Sequence, residues 1–540
     1  MIVRSVRRAR WAYGVLGLLL VGALSSCAIP LPSVPDWTPT PRAALATAGP
    51  TAESPSRGAS PSPSATDGRP LQPIPSVVPK GYSDPPRGSG LARYQRQSLR
   101  WQACGNGLTC TSVLAPLDYA KPDGTAITLA LARRSATADR RLGTLFINPG
   151  GPGGSGISYV RYFNPTGLEA YDIVGWDPRG VGSSTPVACM GAAELDRYYA
   201  LDASPDDEAE ERARIEAVQS FGRSCLERSG GLLQHVSTSE TVKDLELLRG
   251  LVGDDKINYF GSSYGTRIGA LYAELYPQRV GRMVLDGSVD IGGSDTITQT
   301  EGFERALNNF ARWCAEQRCR LGDSKAAVLM RVQTYLQELD QRPLPVGSRT
   351  LTQQLGVKAV FYSMYGGERS WQRLLDALVA AIFDSNGQSL LALGDRSNFR
   401  QDDGSYDQLS YSFPAVRCLD SQDDSVREMQ RRYARISKAA PVLGRLGGAD
   451  LTCVLWPVAP APPPPSIDGA GARPIVVIGT TGDPATPYEY AVDMADRLKS
   501  GVLISFEGEG HLAYDQSECV SGLVRDYLVH DQVPPDQSRC

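Results

Sequence analysis

Histidine is nearly absent from this chain: 540 residues hold only three, His235, His511 and His530. With neither a His-Glu-x-x-His segment nor closely spaced Cys-x-x-Cys pairs, no metal centre is expected. An excess of positive charge is lacking too. The 55 Lys and Arg stand against 59 Asp and Glu, a formal charge of −4, which argues against an electrostatic grip on nucleic acid. Beyond the N-terminus no segment reaches the ~18 apolar residues of a membrane-spanning helix. The glycine-rich segments carry no Gly-Lys-Ser/Thr ending and no Gly-x-Gly-x-x-Gly opening a helix, so neither a phosphate loop nor a cofactor is indicated.

What is present begins with an address. Arg4, Arg7, Arg8 and Arg10 precede an apolar run from Trp11 to Leu24, too short to span a bilayer as a mature helix, which marks residues 1–27 as a signal peptide. It ends in Leu24-Ser25-Ser26-Cys27, which resembles a bacterial lipobox with Cys27 as the lipidated residue. An ordinary secretory signal with an incidental cysteine is the alternative, and Arg7-Arg8 is a weak pointer to twin-arginine export. The expectation is an extracytoplasmic, membrane-anchored protein of the cell envelope. Cysteine usage agrees, because eleven cysteines less Cys27 leave an even number. The sequence does not fix the connectivity of ten cysteines; the simplest choice pairs neighbours along the chain, Cys104 with Cys110, Cys189 with Cys225, Cys314 with Cys319, Cys418 with Cys453, and Cys519 with Cys540.

The length exceeds the ~250–300 residues of a single core, so a large fold with additions is expected. Residues 28–92 are rich in Pro, Ser, Thr and Ala, with fifteen of the 39 prolines between Ala28 and Arg87. Such a segment buries too little apolar surface to offset its ordering entropy and reads as a disordered tether. From Trp101 onward strand-like runs appear at Thr111 to Leu114, Ala126 to Ala132, Gly143 to Asn148 and Tyr171 to Trp176. A helix over Thr241 to Leu251, capped by Ser239 or Thr241, leads to a strand from Lys256 to Phe260, a helix from Thr266 to Tyr276 and a strand from Arg282 to Leu285. Alternating strands and helices with glycine turns predict an α/β fold with a mostly parallel sheet over residues 93–290 and 466–540. Residues 291–465 are helix-like, without strong strands, and read as an inserted lid ending in the run Pro462 to Pro465.

Three loops carry the chemistry. Gly261-Ser262-Ser263-Tyr264-Gly265 follows a strand and opens a helix, the context of a Gly-x-Ser-x-Gly nucleophile elbow. Only Ser263 has glycine two residues away on both sides, so Ser263 is the candidate nucleophile and Ser262 a packing residue. A serine hydroxyl needs a base near neutral pH. His511 follows the strand Val502 to Glu507, at a strand's carboxyl end where open parallel sheets place their sites; His235 precedes the serine and His530 lies past the last predicted helix. The orienting acid is Asp483, in the loop after Pro474 to Gly479, with Asp286 its rival one strand earlier. The loop from Asn148 to Gly156 offers an oxyanion donor from Gly150 or Gly151, paired with the N–H of Tyr264.

Together, Asn148-Pro149-Gly150-Gly151-Pro152-Gly153-Gly154-Ser155-Gly156, Trp176-Asp177-Pro178-Arg179-Gly180-Val181-Gly182, Gly261-Ser262-Ser263-Tyr264-Gly265-Thr266 and Gly482-Asp483-Pro484-Ala485-Thr486-Pro487 resemble secreted actinobacterial α/β-hydrolase serine peptidases. These are the tripeptidyl aminopeptidase relatives of prolyl iminopeptidase, including mycobacterial cell-envelope lipoprotein proteases. The resemblance, from about Trp101 to Cys540, implies an α/β-hydrolase fold, a triad of Ser263, Asp483 and His511, and a helical lid between the sixth and seventh core strands. It further implies peptide or protein substrates cleaved near their N-termini, with lid carboxylates, here Glu301 or Glu304, holding the free α-amino group. Prolyl iminopeptidases place histidine where this chain has Pro149, so no proline preference is implied. A carboxylesterase or lipase would use the same triad.

Overall fold

The computed structural model describes residues 71–76, 78–293, 297–423 and 425–540. Cys27, the signal segment and most of the predicted tether lie outside the described residues. Eight core strands are β1 (Thr109–Pro116), β2 (Ala126–Arg134), β3 (Gly143–Asn148), β4 (Tyr171–Asp177), β5 (Ile257–Ser262), β6 (Val280–Asp286), β7 (Ile475–Gly482) and β8 (Gly501–Glu509). They lie in the spatial order β1-β2-β4-β3-β5-β6-β7-β8. β1, β2 and β4 pair antiparallel, and every pairing from β4 through β8 is parallel. This is the α/β-hydrolase order. Residue pairs 102–103 and 538–539 extend the two edges.

The central strands are near-continuous apolar runs because both faces are covered. β3 and β4 have every residue buried. One face packs Leu145, Ile147, Phe260, Val284 and Ile504 against helices α1 (Gly156–Tyr162) and α8 (Glu518–His530). The other packs Phe146, Tyr259, Met283 and Val477 against α2 (Thr238–Val252), α3 (Gly265–Leu275) and α7 (Tyr488–Arg497). The lid, between β6 and β7, has a core of its own around Phe310, Leu336, Leu355, Trp371 and Leu378. Its elements include α4 (Gln299–Glu316), α5 (Gln353–Tyr365) and α6 (Leu409–Asp420).

Four local readings need correction. The folded part starts before residue 93: Tyr82–Ser83 pairs with β2, and the Gly81 carbonyl accepts from Thr128 and Thr185. Ser237, rather than Ser239 or Thr241, caps α2. Helices Ala192–Ala200 and Glu208–Ser229 fill the excursion between β4 and α2 where none was expected. Within the lid, Leu344–Val346 and Arg349–Leu351 form a small antiparallel hairpin.

Beneath the loop after β4, the fully buried Arg179 fills all its donor positions. Its guanidinium grips Asp244 through Nε and a terminal nitrogen, both at 2.7 Å, and donates to the carbonyls of Pro116, Leu117 and His235. Tyr119 donates to the same carboxylate at 2.9 Å. All five neighbour pairings of cysteine are present as disulfides, a usage typical of oxidising, extracytoplasmic compartments. Among the described residues no helix is long and apolar enough to cross a membrane.

Candidate active site

The nucleophile turn is made by sterics. Ser263 has φ +54°, a left-handed conformation that costs a non-glycine residue energy and persists only where its surroundings enforce it. A Cβ on Gly261 would collide with the Gly265 carbonyl, and one on Gly265 would stand 2.8 Å from Asn148 O, so α3 closes on β5 and on the end of β3 only with glycine at both places. The Ser263 N–H donates to Asp286 O at 2.8 Å, and its residue remains partly exposed at the head of α3. Ser262 is buried, with its hydroxyl bonded to the Tyr159 hydroxyl at 2.8 Å. It is the packing residue.

His511 leaves the end of β8 with its Nδ1 2.8 and 3.0 Å from the two oxygens of Asp483. Asp483 is fully buried and accepts from the N–H groups of Ala485, Thr486 and Leu512 and from the Thr486 hydroxyl. A carboxylate so surrounded fixes Nδ1–H as the donor and leaves Nε2 as the acceptor. Burial opposes charging the ring, but the charge and hydrogen bond of Asp483, backed by the charge of Asp286, outweigh it. The imidazole is held above its ordinary pKa.

The rival acid has another task. Asp286 is buried and accepts from the N–H groups of Ala513 and Tyr514 at 3.0 to 3.2 Å, pinning the loop that follows His511. Burial, partly offset by those N–H donors, pushes its carboxyl up to about 6. Its neighbour Gly287 ties the two halves of the site together, since a Cβ there would stand 3.2 Å from His511 Cε1.

For the oxyanion, the structure narrows the choice. The Gly150 N–H is already spent on Asn148 Oδ1 at 2.9 Å, which leaves the Gly151 N–H as the candidate glycine donor to pair with Tyr264. Gly150 serves by being small: a Cβ on it would come within 2.6 Å of the Tyr264 nitrogen.

Glu301 and Glu304 both have partners within the lid. Glu301 completes a capping box, accepting from Thr298 N and Oγ1 at 2.7 and 2.8 Å. Glu304 is buried, its oxygens accepting from the N–H groups of Val442 and Leu443. Glu304 is committed to the lid backbone, which corrects the expectation that it receives a substrate amine, while Glu301 uses Oε2 to cap the helix that carries it. His235 gives its carbonyl to Arg179, and His530 is the last residue of α8.

The lid supplies contacts that no motif announces. The His511 N–H donates to Tyr365 O at 2.8 Å, and the Tyr365 ring stands edge-on to the imidazole at 5.5 Å. Along α6, Ser412 Oγ donates to Gly153 O at 2.9 Å, Leu409 covers Gly151, and Asp420 accepts from the Tyr264 hydroxyl at 2.5 Å. These residues sit more than a hundred positions from the loops they touch, and nothing in the local sequence marks them.

Relatives are consistent with this geometry. The chain is 36% identical over 478 residues to a serine protease named Hip1 from Mycobacterium tuberculosis, covering 82% of this chain and 91% of the relative. It is 31% identical over 485 residues to a tripeptidyl aminopeptidase of Streptomyces lividans, with 83% and 86% covered. A protein named carboxylesterase B from Mycobacterium tuberculosis is 36% identical over 451 residues, with 80% and 86% covered. Residues 440–540 match the family described as TAP-like protein. With the strand order, the glycine-flanked serine turn and the buried Asp483–His511 pair already in view, the chain belongs to the actinobacterial α/β-hydrolase family of tripeptidyl aminopeptidase-like serine hydrolases.

Proposed function

We propose that this chain is a cell-envelope serine peptidase, lipid-anchored through Cys27, that cleaves peptides near their N-termini by way of an acyl-enzyme on Ser263. The observation that carries the chemistry is the His511–Asp483 pair, with Nδ1 committed to a saturated, buried carboxylate. In this reading His511 Nε2 takes the Ser263 proton as Oγ attacks the scissile carbonyl. The N–H groups of Gly151 and Tyr264 receive the oxyanion, and the same imidazole then protonates the leaving amine. Water repeats the sequence on the acyl-enzyme, with His511 again the base. The Streptomyces relative's name supports the aminopeptidase assignment.

An esterase reading is favoured by one observation, the relative named carboxylesterase B. Both readings share every step up to the leaving group. Incubating the purified chain and Ser263→Ala with a defined peptide mixture, alongside short-chain esters, separates them. Release of tripeptides from free N-termini by wild type alone is the expected result. Ester turnover with no peptide cleavage overturns the peptidase assignment, and internal cuts overturn the aminopeptidase one.

A further inference from the structure

The lid helix α6 is fastened to both halves of the oxyanion site. At its start, Leu409 Cδ1 lies 3.2 Å from where a Cβ on Gly151 would be, and Ser412 Oγ donates to Gly153 O at 2.9 Å. At its end, Asp420 Oδ2 accepts from the Tyr264 hydroxyl at 2.5 Å and from Thr238 Oγ1 at 2.6 Å, while Thr238 N donates to Oδ1 at 3.1 Å. Disulfide Cys418–Cys453 anchors that end of the helix within the lid. Burial first, and the neighbouring Asp420 charge second, hold the Tyr264 phenol well above its ordinary pKa, so it remains an O–H donor across the working range.

Tyr264 follows the strained Ser263, and its backbone N–H is the oxyanion donor of the reading above, on which this inference rests. A side chain fixed at its far end restrains rotation of its own peptide unit. We propose that Asp420 is a positioning residue for acyl transfer: by gripping the Tyr264 phenol, it holds the Ser263–Tyr264 peptide at the angle that points its N–H at the developing oxyanion. The lid then completes the catalytic centre rather than only covering it. Donors aimed before the reaction stabilise the transition state more than the bound substrate, so loosening this one lowers kcat and leaves KM in place.

The test uses Tyr264→Phe, which removes one hydroxyl, together with Asp420→Ala and the double variant. Active sites are counted by fluorophosphonate labelling, so that misfolded protein does not enter the rate. Tyr264→Phe and Asp420→Ala are expected to lose roughly 10- to 100-fold in kcat with KM within about twofold, and the double variant to be no worse than the poorer single. The rate ratio between an ester and its thiono analogue, whose sulfur uses an oxyanion site poorly, is expected to shrink in the first two variants. A purely structural role moves melting temperature but not that ratio. Wild-type kcat in Tyr264→Phe, or an unchanged ratio in both variants, overturns the proposal while leaving the serine mechanism standing. Full turnover by Ser263→Ala overturns both.

Discussion

In the proposed mechanism, His511 is the residue at which pH acts on rate. Its pKa is raised by Asp483 and Asp286 against the opposing effect of burial, and catalysis needs the neutral ring. The acid limb of kcat/KM is therefore expected to have its midpoint above the ordinary ~6.5 of histidine. In Asp483→Asn that midpoint is expected to fall and kcat to drop on the order of 10⁴-fold; a pH–rate profile of both proteins checks the pair. The sign for stability runs the other way from that for rate. A raised pKa means the folded state favours the protonated ring, so this contribution is fully present below ~6.5 and is lost as pH rises through the folded value. At this scale the sequence was legible wherever chemistry is set by immediate neighbours. Glycines flanking Ser263 are dictated by a turn that admits no Cβ, and Asp483 and His511 fall at strand ends. Tyr365 and Asp420 were not legible, because only the folded lid delivers them. Glu304 was misread for the same reason: an acid on a lid helix can face substrate or backbone, and here it faces Val442 and Leu443.

Among elements, the lid helices test that correction. Glu304→Ala is expected to strand two buried N–H donors, a loss of about 1–3 kcal/mol of stability. Glu304→Gln keeps an acceptor and is expected to leave KM for peptides unchanged. Thermal melts and steady-state kinetics on the two variants read these effects separately, and a large rise in KM for Glu304→Gln would restore a substrate role. The loop after β4 depends in turn on Arg179. Arg179→Met leaves Asp244 buried without its partner and is expected to cost about 3–5 kcal/mol, measured by urea denaturation. Core strands were readable because burial on both faces demands unbroken apolar runs, as in β3 and β4. Helix Glu208–Ser229 was not, since its first turn is crowded with Glu208, Glu210 and Glu211 and few of its side chains reach the core. The hairpin at Leu344–Val346 is too short to leave a period-two signature.

For the whole molecule, disulfides act on the unfolded chain. Cys189–Cys225 and Cys418–Cys453 close loops of 36 and 35 residues, each expected to contribute about 3–4 kcal/mol through lost denatured-state entropy. Denaturation midpoints with and without reductant are expected to differ accordingly, with no change if the thiols are free. The connectivity itself was not legible, because ten cysteines admit many pairings and only the fold brings particular pairs within reach.

The seams between lid and core bear on how such enzymes can be recombined. Tyr365 meets His511, Gly367 lies against the Glu509 carbonyl, Ser412 meets Gly153, and Asp420 meets Tyr264 and Thr238. A lid grafted from a relative would arrive without its matching sockets. Chimeras that exchange residues between β6 and β7 alone should therefore yield folded but sluggish proteins. Chimeras that carry the glycine-rich loop after β3, the β5 turn, the start of α2 and the histidine loop along with the lid should keep their speed while taking on the donor's choice of substrate.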